Sequence, residues 1–247
     1  MNPNIFRQYD IRGVADADLD DEFVQDLGRA LGTFWMRQRR PKIALGRDCR
    51  LSSPRLHAAL TAGLAETGIQ VLDVGVVPTP LMYFTVFHHE LHGGVMITGS
   101  HNPPGDNGFK MMKGRGSLYG DDILELRRMI QERDFDLPGG GTRETTDVLP
   151  SYVGFVADNV TLARKDLRIA IDAGNGAAAA ASAPLSLSCA ACAGSSGSFI
   201  ATPYRCCHNA EISPATRSVT HNNIPCPPAA HTPAHFFSFL HARTPFY

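Results

Sequence analysis

Apolar residues follow a helical spacing in some segments of the chain and a strand-like spacing in others. A recurrence every three or four residues predicts amphipathic helices over Asp20–Arg39, Ser53–Thr67, Pro80–His88, Asp121–Arg133 and Asp147–Val160. Short apolar runs predict strands at Lys42–Leu45, Val71–Val74, Gly94–Thr98, Phe109–Met112 and Leu167–Asp172. This alternation of strands and helices predicts an α/β layer fold whose functional site lies at the strand ends.

Turn and cap residues divide this pattern into domains. Ser53 is expected to cap the second helix, with Pro54 at its first position. Pro138 and the triple glycine after it predict a flexible linker. We therefore expect a first α/β domain over residues 1–146 and the beginning of a second over 147–176.

The segment 177–247 departs from the rest of the sequence. It contains no lysine and no aspartate, Glu211 is its only acid, and it holds five of the six cysteines. No period of two or of 3.6 persists, so the segment lacks the pattern that buries one face of an element. We expect it to be disordered, or to be the product of a shifted reading frame.

Two cysteine groups in this tail invite a comparison with zinc sites. Cys189 and Cys192 have metal-ligand spacing, and Cys206, Cys207 and His208 follow. No helix or hairpin pattern would hold these ligands, and the second group lacks the paired spacing of zinc frameworks. The sequence therefore does not favour a zinc site.

Charge and hydropathy exclude several kinds of partner. The formal net charge of the 247 residues is −1, which gives no reason to expect nucleic acid or a membrane surface as a partner. No apolar run is long enough to span a bilayer, and the first residues lack the apolar core of a signal peptide. A cytoplasmic protein is expected, and nothing in the sequence sets its oligomeric state.

Candidate chemistry concentrates in the segment TGSHNPPGDNGFK, from Thr98 to Lys110. Ser100 directly follows an apolar strand, and glycines and prolines on both sides shape a tight loop around it. A simple turn would explain these glycines and prolines but not His101 or Lys110. A serine that carries phosphate, with cationic and amide groups around it, explains both.

A serine hydrolase is the other chemical interpretation of this loop. On an extended chain, neighbouring side chains point in opposite directions, so Ser100 and His101 are not expected to form a nucleophile–base pair. The Gly-x-Ser-x-Gly elbow is also absent from the loop. The hydrolase interpretation is therefore the weaker one.

Three ordered segments resemble one family, the α-D-phosphohexomutases. Thr98–Lys110 resembles its phosphoserine loop, most closely in the bacterial phosphomannomutase/phosphoglucomutase branch. Phe6–Gly13 resembles the N-terminal signature, and Gly46–Asp48 followed by Ser52–Pro54 resembles the next block. The resemblance extends to about Gly176, and it implies a helix–sheet–helix first domain.

The resemblance also implies a reaction and a set of roles. A phosphoserine would pass phosphate to the 1- or 6-hydroxyl of a hexose phosphate, through a bisphosphate intermediate. Ser100 would be the phosphoserine and, through its phosphate, a ligand of Mg²⁺, while His101 and Lys110 would support catalysis. Substrate and phosphate contacts would come from four further residues: Tyr9, Arg12, Arg47 and Asn102.

The sequence also departs from this family. Its Asp-x-Asp-x-Asp-Arg metal loop, its sugar-recognition loop and its distal phosphate loop have no counterpart here. A truncated chain with little or no mutase activity is therefore expected. A non-catalytic remnant that binds phosphate or a partner and a fragment of a phosphoglucosamine mutase stay open as alternatives.

Overall fold

A mixed sheet of seven strands forms the middle layer of the computed structural model, which describes residues 1–160, 170–171, 173, 176–179, 181 and 200–201. The strands are β1 (Ile11–Val14), β2 (Lys42–Arg47), β3 (Gln70–Val76), β4 (Gly93–Ile97), β5 (Asp106–Lys113), β6 (Gly116–Ser117) and β7 (Thr142–Thr145). Their order is β1-β5-β4-β2-β3-β7, and β6 pairs with β5. The pairs among β2, β3, β4 and β7 are parallel, whereas the pairs that β5 forms with β1, β4 and β6 are antiparallel.

Helices cover both faces of this sheet. They are α1 (Asp21–Arg37), α2 (Ser53–Glu66), α3 (Thr79–His88), α4 (Asp121–Glu132) and α5 (Leu149–Asn159). One apolar core joins α1, α2 and α4 to the sheet, and a second, smaller core joins α3 to the opposite face. The helix–sheet–helix arrangement expected from the sequence is thereby confirmed.

Alternation along the central strands explains how one sheet serves two cores. In β2, Ile43 and Leu45 belong to the larger core, while Ala44 between them belongs to the smaller one. In β4, Val95 likewise faces the larger core and Met96 the smaller. Successive side chains of a strand point to opposite faces, so a continuous apolar run buries both sides of the sheet.

The two longest helices, α1 and α2, touch backbone to backbone. A Cβ atom added to Gly63 would lie 2.0 Å from the carbonyl oxygen of Gln25, and one added to Gly28 would lie 2.4 Å from that of Leu60. Real Cβ atoms do not approach oxygen this closely, so the crossing depends on a glycine from each helix. This contact fixes the position of α2, whose first turn comes directly after the turn that follows β2.

The described elements agree with the predicted helices and strands to within a few residues at each end, but three parts of the sequence interpretation were wrong. Arg12 lies in β1, a strand that the sequence analysis did not predict. Ser52, not Ser53, is the N-cap residue of α2 and forms no side-chain cap hydrogen bond, while Ser53 is the first helical residue and its hydroxyl donates to Asp48. The predicted glycine linker instead donates amides from Gly139 and Gly141 to the end of α2, and leads into β7 of the same sheet.

Several sequence predictions fall on residues outside the described ones. Of the predicted strand Leu167–Asp172, residues 170–171 are described, and they pair in parallel with residues 200–201. The beginning of a second domain and the aberrant tail lie largely outside the described residues, as do all five cysteines of that tail. The domain boundary after residue 146 stays a prediction. Within the part of the chain that is described, no helix is both long and apolar enough to cross a membrane.

A buried carboxylate attaches the edge strand β7 to the sheet. Asp73 of β3 is 1% exposed, and its Oδ2 lies 2.9 Å from His57 Nε2 and 2.7 Å from Arg143 Nε and Nη2. Burial acts to raise the pKa of Asp73, but the His57 hydrogen bond, the Gly75 amide and the nearby positive charges outweigh burial and leave the pKa below its usual value.

Gly63→Ala tests the helix crossing. We expect the free energy of unfolding to fall by about 1–3 kcal/mol, because the added methyl forces the two helix backbones apart. Chemical denaturation measures the change. Gly154→Ala in α5 is the matched control, since a Cβ there meets nothing within 4 Å. This control should be neutral or gain about 0.5–1 kcal/mol. A Gly63→Ala protein as stable as the wild type would contradict the proposed crossing.

Asp73→Asn tests the buried carboxylate. The lowered pKa of Asp73 means that its ionised form stabilises the fold above its unfolded pKa, and that this contribution is lost as the pH falls through the folded pKa. We expect the variant to lose about 2–3 kcal/mol at neutral pH, and its difference from the wild type to shrink below about pH 4. Denaturant titrations of both proteins, from neutral pH to below about pH 4, measure this difference in unfolding free energy. Asp158→Asn, at an exposed carboxylate, should show no such trend.

Candidate active site

Ser100 presents an exposed hydroxyl just beyond the carboxyl end of β4. Its φ is 56°, in the left-handed region that non-glycine residues adopt at an energetic cost. Two hydrogen bonds hold that conformation: the Ser100 amide donates to Thr98 Oγ1 at 2.9 Å, and the Ser100 carbonyl accepts from Arg50 at 3.0 Å. The candidate nucleophile therefore occupies a fixed backbone position on an open surface.

His101 lies beside that hydroxyl. The distance from Ser100 Oγ to His101 Nδ1 is 3.3 Å, within hydrogen-bonding range. The expectation that the two side chains diverge was wrong, because it assumed an extended backbone and Ser100 is left-handed. Among the described residues, no carboxylate contacts His101, so the third member of a hydrolase triad is missing from this part of the chain.

Arg12 joins the β1 segment to the serine loop. It is 8% exposed, and β1–β5 pairing places it opposite Gly108. Its guanidinium donates to Asp10 Oδ2 at 2.6 Å and to Asn102 Oδ1 at 2.9 Å. Lys110 Nζ lies 3.8 Å from the same Asp10 oxygen. The structure thus brings together three of the residues predicted to form the site: Arg12 and Lys110 share the Asp10 carboxylate, and Asn102 contacts Arg12.

Asn102 has a structural partner on each side. Its Oδ1 accepts from Arg12, and its Nδ2 donates to Asp106 Oδ2 at 2.9 Å. Both ends of the side-chain amide are therefore used inside the protein. Arg12 Nε, by contrast, is buried without a partner among the described residues, so one donor of Arg12 stays unused.

Tyr9 and Arg47 stand apart from this cluster. Tyr9 is 60% exposed, and its ring centroid lies 6.2 Å from that of Tyr119. Arg47 ends β2, and its Nη1 donates to the Asp48 carbonyl at 3.4 Å. Within residues 1–160, Arg47 contacts no carboxylate, which leaves its charge uncompensated at the same sheet edge as Ser100. Neither side chain touches Ser100 there, and their phosphate-binding roles stay predictions.

Asp48 connects the turn after β2 to the serine loop. Its Oδ1 accepts from the Arg50 amide at 3.1 Å and from Ser53 Oγ at 2.5 Å. Its Oδ2 accepts from the Gly99 amide at 3.2 Å. The sequence analysis gave Ser53 a capping role, whereas its hydroxyl donates to Asp48.

Two functional contributors were missed in the sequence. Arg50 donates to backbone carbonyls of the serine loop. Asn107 is fully buried and donates to the hydroxyls of Ser52 and Ser53. Arg50 lies between the matched segments Gly46–Asp48 and Ser52–Pro54, and Asn107 lies within Thr98–Lys110, but neither residue type is distinctive in the sequence. Only their three-dimensional partners distinguish them.

A divalent-metal site requires more than one ligand, and the described residues do not form one. They contain no group of three or more histidine, cysteine, aspartate or glutamate side chains placed to hold a metal ion. Asp16, Asp18 and Asp20 have alternate spacing, but each has another task. Asp20 caps α1, Asp18 accepts from Asn2 and the Val14 amide, and Asp16 pairs with an arginine. The described residues therefore supply no cluster of protein side chains that would hold Mg²⁺ by itself.

Asn102→Ala tests the connection between β1 and the serine loop. We expect a loss of about 1–2 kcal/mol of unfolding free energy, because a buried Arg12 donor loses its acceptor. Chemical denaturation of both proteins measures the loss. Asn4→Ala is the control, because the Asn4 side chain is exposed and forms no hydrogen bond within the described residues. Equal stability of the Asn102 and Asn4 variants would show that the connection contributes nothing.

Comparison with known proteins agrees with this geometry. Residues 3–136 match the family model for phosphoglucomutase/phosphomannomutase, alpha/beta/alpha domain I. The chain is 43% identical over 175 residues to phosphomannomutase/phosphoglucomutase of Pseudomonas aeruginosa PAO1. The aligned region covers 71% of this chain and 37% of that protein. It is 42% identical over 174 residues to phosphoglucomutase of Neisseria meningitidis serogroup B, with coverages of 70% and 38%.

A solved structure gives the same result. The phosphoglucomutase/phosphomannomutase family protein of Burkholderia thailandensis superposes with a TM-score of 0.71 at 36% identity, over 81% of this chain and 44% of that one. The chain thus spans less than two-fifths of the length of the two curated relatives described above. The match to the family model extends over more than half of the 247 residues. The chain belongs to the phosphoglucomutase/phosphomannomutase family.

Proposed function

We propose that Ser100 carries the phosphoryl group of a hexose-phosphate mutase. The observation that carries this proposal is the exposed Ser100 hydroxyl in a fixed left-handed turn, with His101 Nδ1 at 3.3 Å. Arg12 of β1 and Lys110 of β5 supply positive charge, and Arg47 has no carboxylate partner among the described residues. The relatives named phosphomannomutase/phosphoglucomutase and phosphoglucomutase support a hexose phosphate as the substrate class.

The proposed step moves a phosphoryl group from Ser100 to a sugar hydroxyl. The bond between phosphorus and Ser100 Oγ breaks while a bond forms between phosphorus and a sugar hydroxyl oxygen. The sugar hydroxyl releases its proton to water, Ser100 Oγ receives a proton from His101, and His101 regains one from water, so that no net proton is gained or lost. Phosphate then returns to Ser100 from the other end of the bisphosphate by the reverse steps. Cationic side chains assist because charge on the transferring group must be offset.

Lys110 and Arg12 have different tasks in this proposal. Lys110 is partly exposed and reaches Asp10 only at 3.8 Å, so its ammonium stays free to turn toward a phosphate or to exchange a proton. Arg12 is held by Asp10 and Asn102, and it has one buried donor left over. We assign phosphate recognition to Arg12, Arg47 and Asn102, and a lining role in the cleft to Tyr9.

Mg²⁺ belongs to the proposal as well. A phosphoryl oxygen on Ser100 would supply one ligand, and a hard cation there would withdraw negative charge from the group under attack. Because the described residues add no further ligand cluster, none of the steps above is assigned to the metal.

The complete interconversion is a further step beyond phosphorylation of Ser100. The sequence of 247 residues contains no Asp-x-Asp-x-Asp-Arg pattern, and no described residue outside the serine loop and its neighbours is assigned to sugar recognition. We therefore propose that a protein of this sequence alone exchanges phosphate at Ser100 but interconverts hexose phosphates little or not at all. Conversion of glucose 1-phosphate to glucose 6-phosphate at the rate of a full-length mutase would contradict this proposal.

Intact-protein mass, with peptide mapping, tests the phosphate carrier. After incubation with glucose 1,6-bisphosphate and Mg²⁺, we expect a gain of up to one phosphate per chain at Ser100, removed by phosphatase. Ser100→Ala should abolish the gain. Ser117→Ala, at an exposed serine of β6, should leave it intact. Absence of phosphate from the wild type, or its presence elsewhere than Ser100, would refute the assignment.

A further inference from the structure

Arg50 lies at the centre of the serine loop, although it comes from the turn between β2 and α2. Its side chain is 14% exposed, and its Nε lies 3.2 Å from Asp48 Oδ2. Nη1 donates to two carbonyl oxygens of the loop and Nη2 donates to two more. The four acceptors, with their distances, are Pro103 at 2.5 Å, Asp106 at 3.0 Å, Ser100 at 3.0 Å and Asn102 at 2.7 Å.

These contacts involve all three nitrogens of the guanidinium. A guanidinium carries five N–H groups in a rigid planar fork, and here five different oxygen atoms face them. All four hydrogen bonds of the Arg50 guanidinium therefore go to the loop backbone, and its Nε forms an ion pair with Asp48. In this respect it differs from Arg12, which retains an unpartnered Nε among the described residues.

Arg50 also fixes the orientation of Ser100. The amide on the N-terminal side of Ser100 is held by Thr98 Oγ1, and the carbonyl on its C-terminal side is held by Arg50 Nη2. With both peptide planes held, the direction of the Cα–Cβ bond is set, and with it the arc on which Oγ lies. Without the second bond, a serine at φ 56° is free to relax toward a more favourable backbone conformation.

The loop closes tightly around the cation. A Cβ atom added to Gly99 would lie 2.4 Å from Arg50 Cζ. The Gly99 amide and the Arg50 guanidinium also share the Asp48 carboxylate, which balances the buried positive charge. The guanidinium thus holds together a loop that also contains two backbone turns, closed by the Asn102 amide on the Gly99 carbonyl and the Asp106 amide on the Pro103 carbonyl.

We infer that Arg50 is a positioning residue for phosphoryl transfer: it orients the Ser100 hydroxyl by holding four loop carbonyls and does not contact the substrate. The catalytic consequence rests on the proposed function, whereas the effect on the loop does not. Lysine cannot take over this role, because a single ammonium has three donors and no planar fork.

Arg50→Lys tests the inference, with Arg55→Lys as a matched control. Arg55 also donates to two backbone carbonyls, those of Leu19 and Ala15, but it has no contact with the serine loop. Hydrogen–deuterium exchange of the peptide covering residues 98–106 is the first measurement. We expect exchange of its bonded amides to accelerate about tenfold or more in Arg50→Lys, because the loop opens locally, and to stay unchanged in Arg55→Lys. Global unfolding by denaturant is followed in parallel.

The rate of Ser100 phosphorylation by glucose 1,6-bisphosphate is the second measurement. We expect kcat to fall about 100-fold in Arg50→Lys, since a displacement near 1 Å has that effect on a positioned group. KM should stay within about threefold, because a residue whose donors are all internal binds no substrate. A raised KM with an unchanged kcat would overturn the inference and make Arg50 a substrate ligand.

Chemical rescue covers the case in which Arg50→Lys does not fold well. Guanidinium ion added to Arg50→Ala should restore slow exchange of the loop, and methylammonium should not, because only a planar fork reaches the four carbonyls. Equal loop exchange in wild type and Arg50 variants would overturn the inference, as would failure of guanidinium to rescue. If the wild type takes up no phosphate while its loop still depends on Arg50, the proposed function fails and the loop-positioning role stands.

Discussion

Parallel pairing of β2 with β4 places Arg47 opposite Ile97, and the geometry of the serine loop depends on this register. The carboxyl ends of both strands meet at one edge of the sheet, so the turn that follows β2 lies against the loop that follows β4. Asp48 reaches the Gly99 amide and Arg50 reaches the loop carbonyls only because of that proximity. A shift of one residue in the pairing would turn the strands' alternate side chains to the wrong cores.

Polar groups at this edge form a connected system. Asn107 donates to Ser53, Ser53 donates to Asp48, and Asp48 accepts from Gly99 and pairs with Arg50. Each of the buried groups in this hydrogen-bond network has a partner, which is the condition under which a polar interior becomes rigid. The loop therefore combines an exposed hydroxyl with a backbone that the interior determines. A phosphoryl carrier needs this combination, because the reacting oxygen must be accessible and must also be held in one place.

A second polar junction brings the N-terminal segment into the same region. Arg12 connects Asp10 to Asn102, and Lys110 approaches the same carboxylate from the neighbouring strand. The antiparallel pairing of β1 with β5 places these groups side by side at the edge of the sheet. Positive charge thus comes from several strands, while the carboxylates between them keep the unliganded cluster from being strongly cationic.

Local spacing in the sequence was sufficient to place the five helices and most of the strands, to predict the layered α/β fold, and to identify Ser100 as an exposed loop hydroxyl. These features follow from periodicity and from turn residues, which act over a few neighbouring positions. The partners of the loop were decided only by tertiary structure: Arg50 is 52 residues from Asn102, and Arg12 is 90 residues from it. The pairing of Ser100 with His101 also needed the three-dimensional backbone, because it depends on a left-handed serine that the long-range contacts stabilise. A sequence pattern records which residues are neighbours along the chain, whereas hydrogen-bond partners are chosen by the strand register that the folded cores impose.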